Sequence, residues 1–283
     1  MNVRENELVA GKLDQAAELL AEQGANVFRV RAYRRAAHTL RQLTDPVSAL
    51  LDFEGLPGLE RLPGVGEGLA RAIRDIVRLG YFPMLERLRG EADPIRRLSS
   101  VPGIGPRLAE RLHEELGLET LEDLEAAAHD GRLEDIAGFG AKRLDAIRDV
   151  LAHRLARVRP LPPDAVPPPP VAELLDVDRE YREAASARRL TMIAPRRFNP
   201  AHEAWLPILH TSRGDHHYTA LFSNTARAHR LQRTHDWVVL YCDRGTGGGQ
   251  WTVVTASHGT LAGRRVVRGR EDECAHYYGL AAA

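Results

Sequence analysis

The sequence predicts an all-α N-terminal half followed by a small α+β domain, and three observations carry that division. Three turns of the form Gly-hydrophobic-Gly (Gly64-Val65-Gly66, Gly103-Ile104-Gly105 and Gly138-Phe139-Gly140) each precede a run with apolar residues at helical spacing. Residues 160–170 read PLPPDAVPPPP, too rich in proline for a helix or an interior strand. Beyond Arg196 the apolar period shortens from helical to alternating, as strands require.

Taken in chain order, Leu8, Val9, Leu13, Ala16, Leu19 and Leu20 make one helical stripe between Glu5 and Gln23, with Gly24 as its stop. Asn26 to Ala37 opens a second, strongly basic helix with aromatic residues interleaved. Leu69, Ala70, Ile73, Ile76 and Val77 follow the first Gly-hydrophobic-Gly turn. Leu108, Ala109 and Leu112 follow the second, and Leu144, Ile147, Val150 and Leu151 the third. The glycines recur 39 and then 35 residues apart, the interval of tandem supersecondary units. Each unit reads as a helix-hairpin-helix. Its two glycines permit a tight turn that brings bare backbone N–H groups up to a phosphate, at a helix N-terminus whose dipole favours negative charge. The competing reading is an α-solenoid of protein-binding hairpins.

Charge narrows the partner. The chain has 39 basic and 39 acidic residues, which excludes coating DNA by bulk charge and leaves local patches. Between Glu22 and Asp45 there is no acid, while Arg29, Arg31, Arg34, Arg35, His38 and Arg41 fall in that window. A second acid-free window, Arg244 to Arg270, holds Arg264, Arg265 and Arg268. Lys12 and Lys142 are the only lysines, and arginine stays protonated at any useful pH, so it cannot act as an amine nucleophile. Cys242 and Cys274 have no partner at metal spacing and read as small core residues of a reducing compartment. Acids near the N-terminus and the lack of a long apolar run imply neither secretion nor a membrane span, and so a cytoplasmic, nucleoid-associated location.

The runs NVFRVRAYRRAAHTL, LPGVGEGLARAIRDIV, LSSVPGIGPRLAERLHEELGLETLEDLEAAAHDGRL and GFGAKRLDAI resemble, in order and spacing, the N-terminal portion of bacterial X-family DNA polymerases over residues 1 to about 157. That resemblance implies a first domain on the 5′-phosphate side of a DNA gap and a second hairpin domain on the primer side. The loops Leu62 to Gly66 and Val101 to Gly105 would meet backbone phosphates. The carbonyls of Leu62, Val65, Val101 and Ile104 would ligate a K⁺ or Na⁺ ion, with no other cofactor required. Arg29 and Tyr33 match the phosphate pocket in type, Arg34 and Arg35 extend it, and Arg107 and Lys142 stand just past the second and third turns. Two departures matter. Ala72 occupies the position of the Schiff-base lysine of animal members, and no palm signature follows the hairpins. Asp176-Val177-Asp178, the one Asp-x-Asp after the hairpins, reads as a solvated helix face.

In the C-terminal half, strands are predicted at Ala204 to His210, His217 to Phe222, Trp237 to Cys242, Trp251 to Thr255 and Arg264 to Val267. Ser212 to Asp215 forms a hairpin turn, Gly245 to Gly249 a hairpin tip, and residues 223–236 a capped short helix whose crossover allows either strand sense. Arg264, Arg265, Arg268 and Arg270 are candidate phosphate contacts here. His210, Asp215, His217 and His229 are the candidate catalytic set of a metal-dependent nuclease. A restriction-type core is excluded for want of any lysine after Lys142. The domains divide as 1–90, 91–159, a linker at 160–170, and 171–283. The predicted function is structure-specific DNA binding at gaps, nicks or 5′-phosphate ends in repair, alongside a repair protein partner; the alternative is the metal nuclease.

Overall fold

The computed structural model describes residues 2–80, 82–91, 93–119, 121–129, 131–134, 136, 139–155, 168–243 and 249–280. The chain forms two compact units: residues 1–92 with 168–224 and 228–283, and residues 93–167 with 225–227.

The first unit begins with five helices, α1 (Asn2–Glu22), α2 (Val27–Arg41), α3 (Val47–Glu60), α4 (Glu67–Leu79) and α5 (Pro83–Leu88). The stripe of α1 buries Val9, Leu13, Ala16 and Leu20, while Leu8 faces outward. Gly24 sits at φ +71° after α1, and Asn26 caps α2 by accepting from the Phe28 N–H at 2.8 Å. Asn6 fixes α1 to the start of α3: its amide donates to the carbonyls of Leu43 and Asp45, and its oxygen accepts from the Val47 N–H. Satisfying three backbone groups at once is why an asparagine can be buried there. Helix α3 is broken at Gly55, where φ is +65°, two residues before Pro57.

The C-terminal part of this unit is helix α10 (Val171–Ser186) on a six-stranded sheet, with α12 (Glu271–Tyr277); the short α11 (Ala226–Arg230) has residues in both units. The strands are β1 (Thr191–Ile193), β2 (Leu206–Arg213), β3 (His216–Phe222), β4 (Val238–Asp243), β5 (Gly249–Thr255) and β6 (Arg265–Val267), in sequence order and antiparallel throughout. All five expected strands are present, β1 and α12 were not foreseen, and the open question of strand sense resolves as antiparallel. The turn between β2 and β3 is only Gly214-Asp215, since Arg213 pairs with His216. The hairpin tip expected at Gly245 to Gly249 lies outside the described residues except for Gly249, as do residues 160–167 of the proline-rich run.

Helix α10 covers one sheet face, packing Leu174, Val177 and Tyr181 with Tyr218, Leu240, Cys242 and Val253. The Tyr181 hydroxyl donates to the Pro207 carbonyl at 2.9 Å and accepts from the Phe222 N–H at 2.8 Å. This helix corrects one expectation. Asp178 is 1% exposed, and its carboxylate accepts from Arg265 at 2.7 and 3.0 Å. Arg265 supplies the hydrogen bonds that a buried carboxylate requires, so α10 presents Asp178 to the sheet rather than to solvent. The other face of β2 to β4 carries His210, His217, Thr219, Tyr241 and Asp243 in register. It meets α1, α2 and α5 through Gln23, Arg29 and Arg87.

The second unit contains α6 (Pro94–Ser99), α7 (Pro106–Leu116), α8 (Leu121–His129) and α9 (Ala141–Leu155) around a core of Leu98, Val101, Ile104, Leu112, Leu124, Leu144 and Ile147. Asp93 caps α6, Pro94 and Pro106 occupy first helical turns, and Gly117 closes α7 at φ +70°.

Candidate nucleic-acid interface

The hairpin turns share one pattern of backbone hydrogen bonds. In each, the residue between the glycines donates back three positions: Val65 to the Leu62 carbonyl at 3.0 Å, Ile104 to Val101 at 3.0 Å, and Phe139 to Ile136 at 3.1 Å. In each, the second glycine accepts the first helical bond: Gly66 from Ala70, Gly105 from Ala109 and Gly140 from Leu144, at 2.9, 2.9 and 3.1 Å. Gly64 and Gly103 take φ of +78° and +90°, a conformation that side-chain-bearing residues strain to adopt. Gly138, the equivalent position of the third turn, lies outside the described residues. Val65 and Ile104 plug inward at 4% and 3% exposure while Gly64, Gly66, Gly103, Gly105 and Gly140 face out, and Phe139 is half-buried. The apolar residue therefore anchors a turn whose flanking glycines present backbone to solvent.

Electrostatics separate the three. The second residue of the helix after each turn is Gly68, Arg107 and Lys142 respectively. Helix α4 starts with Glu67, whose carboxylate is paired with Arg71, whereas the first turns of α7 and α9 hold no acid. A carboxylate at a helix start occupies the positive end of the dipole, an effect of about 0.3–1 kcal/mol that would oppose a second anion. The second and third hairpins lack that opposition and add a cation. Arg107 and Lys142 are exposed and form no ion pair among the described residues. Gly103, Gly105, Pro106, Arg107, Leu108 and Arg143 line one groove of about 520 Å³ in this unit. Arg143 was not singled out from the sequence, although its position three residues past Gly140 was a usable signal.

The basic helix α2 divides by face. Arg31, Arg34, Arg35 and His38 are exposed and have no ion pair among the described residues. The stem of Arg35 lies across the first turn, and Thr39 donates to the Pro63 carbonyl at 2.7 Å, so α2 and this hairpin present one surface. Arg29 and Tyr33, which match the family's phosphate pocket in type, lie largely inside the unit. Tyr33 is 8% exposed, with its hydroxyl 2.8 Å from Met84 Sδ, and the Arg29 guanidinium donates to the Asp243 carboxylate at the end of β4. Sequence reading missed Asp243 because its partner is 214 residues away.

The C-terminal candidates are engaged individually. His210 lies between Thr219 Oγ1 at 3.1 Å and Gln23 Oε1 at 3.0 Å, and burial together with Arg29 pulls its imidazole down to about 4 despite Asp243. His217 pairs with Ser212 Oγ at 2.8 Å across β2 and β3. His229 contacts Asn224 Oδ1 at 2.6 Å and the Phe198 ring, and burial lowers it as well. Asp215 is exposed in the β2–β3 turn. Among the described residues no three His, Cys, Asp or Glu are grouped to hold a metal ion. The arginines expected at phosphate are also engaged: Arg265 binds Asp178 and Asp236, Arg270 binds Glu273, and Arg264 and Arg268 stack over Tyr278 and Trp237.

The N-terminal half of the chain carries helix-hairpin-helix domains. Residues 4–82 match the helix-hairpin-helix domain model, and residues 95–152 match that of the SAM-like helix-hairpin-helix tandem. The chain is 30% identical over 142 residues to the DNA polymerase/3′-5′ exonuclease PolX of Bacillus subtilis (strain 168), a match spanning 50% of this chain and 24% of that protein. It is 31% identical over 117 residues to the Homo sapiens DNA-directed DNA/RNA polymerase mu (40% of this chain, 22% of that protein). With the DNA nucleotidylexotransferase of Ambystoma mexicanum it shares 28% over 116 residues (39% and 21%). These matches thus span less than a quarter of the length of each relative, and they make the N-terminal half similar to the N-terminal region of X-family DNA polymerases. No helix among the described residues is long and apolar enough to cross a membrane.

Proposed function

We propose that the protein binds DNA at gaps, nicks or 5′-phosphorylated ends through its hairpin turns, in a repair setting, and that phosphate contacts dominate over base readout. The observation that carries this is the repeated turn: glycines facing outward, a helix N-terminus directly behind, and Arg107 and Lys142 at the same helical position. The second and third hairpins then supply the main phosphate grip, and the first, with Glu67 at its helix start, is the weaker site. The carbonyls of Val65 and Ile104 accept no backbone hydrogen bond among the described residues, and those of Leu62 and Val101 accept one each. Such oxygens suit a K⁺ or Na⁺ ion bridging to phosphate.

The chemistry of the similar polymerases is not part of this reading. Ala72 is a methyl group on α4 and cannot attack an aldehyde. Asp176 and Asp178 are held by Arg213 and Arg265, so neither offers a free carboxylate to a divalent ion.

The test is fluorescence anisotropy with one-nucleotide-gapped DNA bearing a 5′-phosphate, intact duplex and single strand, over a salt series with and without manganese. Tight, gap-selective, salt-sensitive binding without cleavage is expected. Manganese-dependent cleavage that is lost in His217→Ala would establish the nuclease reading instead, and absence of binding to every form would assign the hairpins to protein contacts.

A further inference from the structure

The Arg29 guanidinium is 11% exposed and its anionic partner comes from the C-terminal sheet. Asp243 is 32% exposed and also lies 3.6 Å from Arg87, whose guanidinium stacks 4.7 Å above the Tyr241 ring. Burial alone would raise the Asp243 carboxyl, but Arg29, Arg87 and the neighbouring His210 and His217 outweigh it and hold the carboxyl below its ordinary range. Behind Arg87 the cluster continues to Asp75 and Arg74, and among the described residues the buried Arg87 Nε and Arg74 Nη1 have no hydrogen-bond partner. Buried guanidinium N–H groups left over in a cluster are donors for an anion that presents more acceptor oxygens than one carboxylate can.

We propose that Asp243 is an internal stand-in for a DNA phosphate: the end of β4 places its carboxylate on Arg29 and Arg87, and a 5′-phosphate must displace it to reach that pocket. The inference rests on the DNA-binding reading above. A carboxylate carries one charge and two oxygens, whereas a terminal phosphate carries about −1.5 to −2 and three oxygens. The phosphate is therefore the stronger partner for the same fork of N–H donors. Partial exposure of Asp243 lets water replace the lost contact, which keeps the exchange reversible. The C-terminal domain would in this way hold down the 5′-phosphate preference of the first helical domain without altering the grip of the hairpins on the backbone.

The experiment uses the full chain and one-nucleotide-gapped DNA with either a 5′-phosphate or a 5′-hydroxyl. The wild type is expected to favour the phosphate by less than about twofold. Asp243→Asn should raise that preference at least about fivefold with hydroxyl-end affinity unchanged, and Arg29→Gln in the same chain should abolish the gain. An unchanged ratio in folded D243N overturns the proposal. A second measurement needs no variant: the Asp243 carboxyl ¹³C resonance of the wild type should move on adding the phosphorylated gap and stay fixed with the hydroxyl form, and a fixed resonance in both overturns the proposal even if D243N fails to fold. If neither DNA binds at all, the DNA-binding reading falls and this one with it. Binding of both with the same ratio removes only the role of Asp243.

Discussion

Arg35 lies so closely over the first hairpin that a methyl group on Gly64 would stand 2.3 Å from its Cδ, whereas the same methyl on Gly103 would meet nothing nearer than Ile147 Cγ1 at 4.0 Å. Both glycines have positive φ, so alanine strains either turn by about 1–3 kcal/mol. Gly64→Ala should cost the more of the two in urea unfolding. Removing the Arg35 side chain in the double variant G64A/R35A should recover the excess, as a double-mutant cycle would record. Equal costs with no coupling would mean Arg35 does not rest on the turn.

The Arg265 guanidinium bridges Asp178 and Asp236, 2.7 Å from each, with Asp178 1% exposed. Truncating one partner of a buried pair leaves a charge without compensation. Asp178→Ala should therefore destabilise the first unit by about 3 kcal/mol or more, measured by denaturant midpoint. Asp176→Ala, on the same helix but with its partners Arg179 and Arg213 more exposed, should cost under about 1 kcal/mol.

His210 provides a pH signature. Its folded pKa is depressed to about 4 from the ordinary 6.5, so between those values the unfolded chain binds the extra proton and stability rises with pH. The contribution is complete above about pH 6.5 and is lost as pH falls toward 4, amounting at most to about 3 kcal/mol. Unfolding free energies measured from pH 7 to 4 should decline in the wild type and decline less in His210→Gln. His229, lowered in the same direction, accounts for part of the residual slope.

Much of this fold was legible in the sequence because its signals are local. A Gly-hydrophobic-Gly turn fixes its own hydrogen bonds within about eight residues, and Leu62 to Ala70 and Val101 to Ala109 form the same pattern. Strand alternation likewise placed β2 through β6. Strand β1 escaped notice because three residues carry too little period, and Met192 on it is exposed. The burial of Asp178 was hidden because a helix covering a sheet can bury a charge wherever an arginine from the sheet meets it, and Arg265 is 87 residues distant. Arg29 looked like a free cation for the same reason: no local pattern announces that Asp243 will neutralise it.

The exposed arginines of α2 should behave differently from the buried one. Arg34→Ala should weaken gapped-DNA binding a few-fold with stability nearly unchanged, because Arg34 forms no ion pair among the described residues; Arg35→Ala should weaken binding similarly while also losing its packing on the first turn. Arg29→Ala should instead lower thermal stability, since it strips Asp243 of its closest cation.

The most direct test of the hairpin account is the salt dependence of affinity for one-nucleotide-gapped DNA, compared between the wild type and the double variant Arg107→Ala with Lys142→Ala. If both residues neutralise phosphates, the slope of log affinity against log salt should fall by about 2 and affinity should drop for every sequence alike. An unchanged slope and affinity would contradict it and place the DNA, if bound, elsewhere on the protein.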